Sequence, residues 1–146
     1  MVWNIYDRYR EGQHDSRQIN PETGTLKAAI VSSLYTPDQN VHEFFSDITN
    51  EVSGTGYTAG GNQCLNPAVT MDSAGLITFD ADDPAQWAQD PAGFSNGRRF
   101  ILYFDTGVTT TSRLLAFSDA EAADFGNVSG PLTLQMAAAG IWTNAR

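Results

Sequence analysis

The residues Gly93-Phe-Ser-Asn-Gly97 spell G-x-S-x-G, the pattern that offers a serine hydroxyl to an acyl group. That chemistry needs a strand running into the serine and a helix leaving it, so that the hydroxyl stands exposed at a strained turn. Here Asp90-Pro-Ala92 precedes the motif, and the strand-like Arg98-Arg-Phe-Ile-Leu-Tyr-Phe104 follows it. The only imidazole bases, His14 and His42, both lie upstream. The residues therefore favour a tight turn at Asn96-Gly97, tolerant of positive φ, over a nucleophile.

Asp80, Asp82 and Asp83, with Asp90 nearby, form the densest group of carboxylates. Oxygen-rich loops hold Ca²⁺, but the spacing is not that of an EF-hand and no downstream bidentate Glu is in position. A solvated strand end is the expectation, with one Asp capping the turn into Pro84. No metal ligand is assigned. Gly54-Thr-Gly-Tyr-Thr-Ala-Gly-Gly61 resembles a phosphate cradle only in its glycines, because the Lys-Ser/Thr of a P-loop is missing. It reads as a corner with Tyr57 packed inward. Cys64 stands alone, so no intrachain disulfide forms, and it reads as a small buried hydrophobe. Arg98 and Arg99 open a strand and must point to opposite faces, one of them within reach of the acidic cluster. Tyr57, Trp87, Phe94 and Trp142 could line a sugar-binding surface, although the core is the default place for aromatics. No cofactor is expected, and no catalytic residue.

The elements that must position these residues belong to one domain of 146 residues with 41% hydrophobic and 17% charged residues. Seventeen acids against eight bases leave a formal net charge of −9. The one lysine, Lys27, and the scattered Arg8, Arg10, Arg17, Arg98, Arg99, Arg113 and Arg146 make no phosphate-neutralising patch, so no nucleic-acid partner is expected. No apolar run approaches the ~20 residues that span a bilayer, so no membrane partner is expected, and the first residues contain no signal-peptide core.

Along the chain, Ile5 and Tyr9 share a helical face, which predicts a short amphipathic helix over 3–11 ended by Gly12. Leu26–Val31 reads as a buried strand stopped by Thr36-Pro-Asp38. Val41–Ile48 reads as a helical turn with Asn40 as N-cap. Short strands are expected at 52–57, at 65–71 (edge or bulged because of Pro67), at 76–79, at 100–104 (central), at 114–117 and at 132–136, with Ile141-Trp142 closing the sheet. Strands spaced by Gly, Thr, Asn and Asp turns predict a mainly β, single-domain antiparallel β-sandwich or barrel, jelly-roll-like, with short helices. Its expected divisions are an N-terminal arm with a short helix over 1–23 and a β-sandwich domain over 24–146.

A linear series of motifs resembles a family of small structural proteins of tailed-bacteriophage virions. The series runs Ile5-Tyr-Asp-Arg-Tyr-Arg-Glu-Gly12, Thr25-Leu-Lys-Ala-Ala-Ile30, Tyr35-Thr-Pro-Asp38, His42-Glu-Phe-Phe-Ser-Asp47, Ser53–Gly61, Phe79–Asp83, Tyr103-Phe-Asp-Thr-Gly107 and Ser112-Arg-Leu-Leu-Ala116. The chain departs from the pattern between Trp87 and Asn96, where Gln-Asp-Pro-Ala-Gly lengthens a loop. The resemblance implies a virion component, made in the host cytoplasm, and a capsid decoration (cement) protein on the capsid exterior. Its expected partner is the major capsid protein, its expected state a homotrimer, and its expected contact an anchoring segment containing Trp3, Tyr6, Arg8, Tyr9, Arg10 and Arg17. A head-tail connector or tail subunit and a host-glycan-binding module are the alternatives.

Overall fold

Phe100–Phe104 is apolar at every position, so a strand there must be covered on both faces. In the computed structural model, which describes residues 1–144, that run lies in the middle strand of the larger of two antiparallel sheets. The described strands are β1 (Trp3–Ile5), β2 (Thr25–Ser32), β3 (Asn62–Gln63), β4 (Ala68–Met71), β5 (Ile77–Asp80), β6 (Gly97–Asp105), β7 (Arg113–Ser118) and β8 (Trp142–Asn144), with one α-helix, α1 (Asp7–Gly12). The large sheet has the order β1-β7-β6-β2-β3 and the small one β4-β5-β8. Both have open edges, so the fold is a sandwich and not a barrel, its strands divided five and three. Residues 145 and 146, the end of the expected sandwich domain, lie outside the described residues.

Register assigns the two faces of the large sheet. Phe100, Leu102 and Phe104 of β6 pair with Ile30, Ala28 and Leu26 of β2 and point the same way. The small sheet and its flanking loops cover that face: Phe79 packs on Phe104 with ring centroids 6.3 Å apart, Trp87 on Phe100 at 6.1 Å, and Phe125 stacks on Phe100 at 5.0 Å. The opposite face, with Ile101 and Tyr103, is covered by the connection after β2, where Phe45 stacks on Tyr103 at 4.1 Å.

The N-terminal residues are not a separate arm. β1 pairs antiparallel with β7, Trp3 opposite Ser118 and Ile5 opposite Ala116, so the chain start is an edge strand of the main sheet. The helix expected over 3–11 begins only at Asp7, because residues 3–5 gain ladder hydrogen bonds that an isolated short helix lacks. Gly12 closes it, as expected.

Three further expectations change for one reason, the destination of backbone hydrogen bonds. Within 41–48 the expected helical turn forms as a 3₁₀ turn over Phe45–Asp47, and its cap is what differs. Asn40 does not cap it. The Asp38 carboxylate accepts the Asn40 and Val41 N–H groups, and Asp47 accepts those of Glu43 and Phe44 at 2.8 and 2.9 Å. Residues 52–57 form no strand: Ser32 donates to Asn50 O and Val52 donates to Ile30 O, after which the chain turns away at Gly54. Residues 132–136 keep the expected alternation, with Leu134 buried, yet pair only where Leu132 bridges Trp87. Met136 N donates to the Asp83 carboxylate instead of to a neighbouring strand.

Candidate functional site

Ser95 is exposed and precedes β6 with no helix after it. His42 is occupied elsewhere, with Nδ1 2.8 Å from the Tyr35 hydroxyl and 3.2 Å from Asp38 N. No described hydrogen bond links Ser95 to a base. The turn expected at Asn96-Gly97 is also corrected. Neither residue has positive φ, and Gly97 is extended at the start of β6, bridged to Phe125. A Cβ on Gly97 would come within 2.7 Å of the Phe125 ring, so the glycine serves close packing.

The acidic residues are spread over separate tasks. Asp82 accepts from the Asn66 side chain at 2.6 Å, Asp83 from Met136 N at 2.6 Å, and Asp90 from Ala92 N at 2.8 Å. Among the described residues no three His, Cys, Asp or Glu side chains converge as a metal site. Arg98 does not reach this cluster; its Nε lies 2.8 Å from Asp124 and its Nη1 donates to Glu121 O. Arg99 donates to Ser118 O.

The glycine-rich corner is a polar clasp. Tyr57 donates its hydroxyl proton to Glu51 at 2.6 Å and accepts the Ile30 N–H at 3.0 Å. Burial and the adjacent Glu51 carboxylate hold the Tyr57 hydroxyl far above its ordinary range, so it remains a donor. Glu51 also accepts Gly60 N at 2.6 Å, and Tyr103 donates to Gly60 O at 2.8 Å. These bonds bind the corner to β2 and β6. Cys64 is fully buried, and burial pushes its thiol up to about 12, so the protonated form dominates at neutral pH.

Trp87 and Phe94 are 1% and 2% exposed, which removes two of the four aromatics from any sugar-binding surface. Tyr57 packs against both of them. Of the six residues expected to anchor a partner, Tyr6 and Tyr9 are 0% and 7% exposed and belong to the core. Tyr6 hydrogen-bonds Tyr35 and packs on Phe117; Tyr9 stacks on Phe104. Trp3 is half-buried, and Arg17 is clamped by Asp15, Glu11 and Glu43. Arg8 pairs with Glu11 at 2.9 Å, while Arg10 stands out into solvent.

The feature that sequence reasoning missed is a cleft of about 550 Å³ where the two sheets diverge. Ile5, Tyr9 and Leu115 from the large-sheet side and Ile77, Phe79 and Trp142 from the small sheet make its apolar walls. Arg10, Gln13, His14, Gln18 and Asn144 stand among the polar groups around it. Its volume and its mixture of apolar walls with a few polar groups match small-molecule sites. The residues come from five separate stretches of chain, so no local spacing announces it. Of the four aromatics considered for a sugar-binding surface only Trp142 lines it, and of the expected anchoring residues Tyr9 and Arg10 do. No protein-family model matches this chain, and neither a curated protein nor a solved structure matches it at a significant level.

Proposed function

We propose that the protein is a structural component of a tailed-phage virion, a capsid decoration protein seated on the outer shell where subunits of the major capsid protein meet. The linear series of phage-like motifs supports this reading. The carrying structural observation is the edge strand β4: all four residues are exposed, with Val69 and Met71 38% and 71% exposed. Phe79 O bonds Ile141 N on the side away from β4, so the ladder joins residues 68 and 70 to β5 and turns the main-chain groups of Val69 and Met71 outward. Glu22 accepts the Val69 N–H at 3.2 Å and guards half of this edge. An extended segment of a shell subunit, or of a second copy in a trimer, adds a strand beside Met71.

This contact replaces the inserted arm, because Tyr6 and Tyr9 are committed to the core. The role needs no reacting residue, and the protein is not proposed to be an enzyme. The test is the copy number in purified virions, measured by gel densitometry against the major capsid protein. Hundreds of copies, near parity with shell subunits, support decoration. A dozen or fewer would make the chain a connector or tail subunit instead, and absence from the particle would overturn the virion role.

A further inference from the structure

We propose that the cleft between the sheets binds an amphipathic monocarboxylate, its apolar tail between Phe79, Leu115 and Trp142 and its carboxylate on Arg10. This inference is independent of the virion role. Charge complementarity identifies the occupant. The chain carries 17 acids, yet none of the described residues lining the cleft is acidic. Arg10, by contrast, lines it.

Arg10 is also distinct among the described cations. Lys27 lies 2.7 Å from Asp105, Arg8 2.9 Å from Glu11, Arg17 2.6 Å from Asp15, Arg98 2.8 Å from Asp124 and Arg113 2.9 Å from Glu43. Arg99 donates to Ser118 O at 3.3 Å. Among the described residues the one carboxylate within 4 Å of Arg10, that of Asp7, is 3.8 Å away, beyond hydrogen-bond length, and the Arg10 side chain is 62% exposed. Its guanidinium therefore keeps its planar donor fork available, and that fork matches a carboxylate in two-point contact. Gln13, Gln18 and Asn144 supply neutral amides at the same mouth. An apolar tail displaces water from walls that make no hydrogen bonds of their own, and this supplies the affinity the exposed ion pair alone lacks.

The experiment is calorimetric titration of the whole protein with decanoate below its self-association concentration, with decan-1-ol as the uncharged counterpart. Decanoate is expected to bind saturably at one site. Decan-1-ol, and decanoate with Arg10→Gln, are expected to bind about tenfold more weakly, the loss of one charge-assisted contact. Among the described residues the Arg10 side chain has no hydrogen bond to lose, so this variant is expected to fold normally, as its thermal unfolding will verify. Amide shifts on titration should centre on Ile5, Arg10, Phe79 and Trp142. Absence of saturable binding, equal affinity for the alcohol, indifference to Arg10→Gln, or shifts centred elsewhere would each overturn the proposal.

Discussion

Arg113 on β7 places Nη1 2.9 Å from Glu43, 70 residues away in sequence, while its Nη2 donates to the carbonyl of Arg8 at 2.7 Å. One guanidinium thus joins the central sheet to the connection after β2 and to the first helix. Gly12 makes room for it, since a Cβ there would come 2.6 Å from an Arg113 nitrogen. The Arg113 side chain is only 6% exposed, so the pair is held out of water.

Arg113→Ala should destabilise the fold by about 2 kcal/mol, because it leaves the Arg8 carbonyl unpaired and Glu43 with Arg17 as its remaining partner. Arg113→Lys should recover little of this, since an ammonium cannot reproduce the planar fork. Urea unfolding midpoints of the two variants measure both effects.

Gly61 and Gly107 have similar backbone angles, φ +73° and +83°, but different surroundings. A Cβ on Gly61 would lie 1.8 Å from the Ala28 carbonyl oxygen, whereas nothing lies within 4 Å of one on Gly107. Gly107→Ala should cost about 1 kcal/mol, the left-handed backbone penalty alone. Gly61→Ala should cost well over ~3 kcal/mol or prevent folding, because backbone must move in β2. Comparable losses in thermal unfolding would refute the steric argument.

Asn127 is completely buried and serves three backbone groups. Its Oδ1 accepts Phe94 N at 2.9 Å, and its Nδ2 donates to Thr55 O and Ala88 O at 2.9 and 2.8 Å. Asn127→Ala should cost about 2–4 kcal/mol by leaving those groups unpaired. Loops 54–56 and 88–94 should then become the first sites of limited proteolysis, read by mass spectrometry of the fragments.

Stability should fall at alkaline pH. Burial raises the Cys64 thiol from 9.0 to about 12, and raises the Tyr9 and Tyr35 hydroxyls from 10.0 to about 12. The unfolded chain loses these protons first, so the stabilisation is complete below pH 9 and declines progressively up to about pH 12. Cys64→Ala should flatten the lower part of that decline. Consistently, a disulfide-exchange reagent at pH 8 should label Cys64 only as fast as the protein unfolds; immediate labelling would contradict its burial.

The strands with their own hydrophobic period were legible in the residues themselves. Leu26–Val31, Phe100–Phe104 and Leu114–Phe117 lie wholly in strands, and 76–79 does from Ile77 onward, because runs of apolar and β-branched residues bury best in a pleated, covered sheet. The inward Tyr57, the inert Cys64 and the mainly β sandwich followed from the same local chemistry. What tertiary structure alone decided was pairing. Residues 3–5 became a strand because β7 offered them an open edge, and 132–136 did not because Asp83 took the Met136 donor. The cleft and the place of Arg10 in it are likewise products of assembly, since residues from 5 to 144 meet there only once the two sheets pack. Side-chain period is a property of neighbours in sequence; the partner of each backbone donor and each charge is a property of neighbours in space.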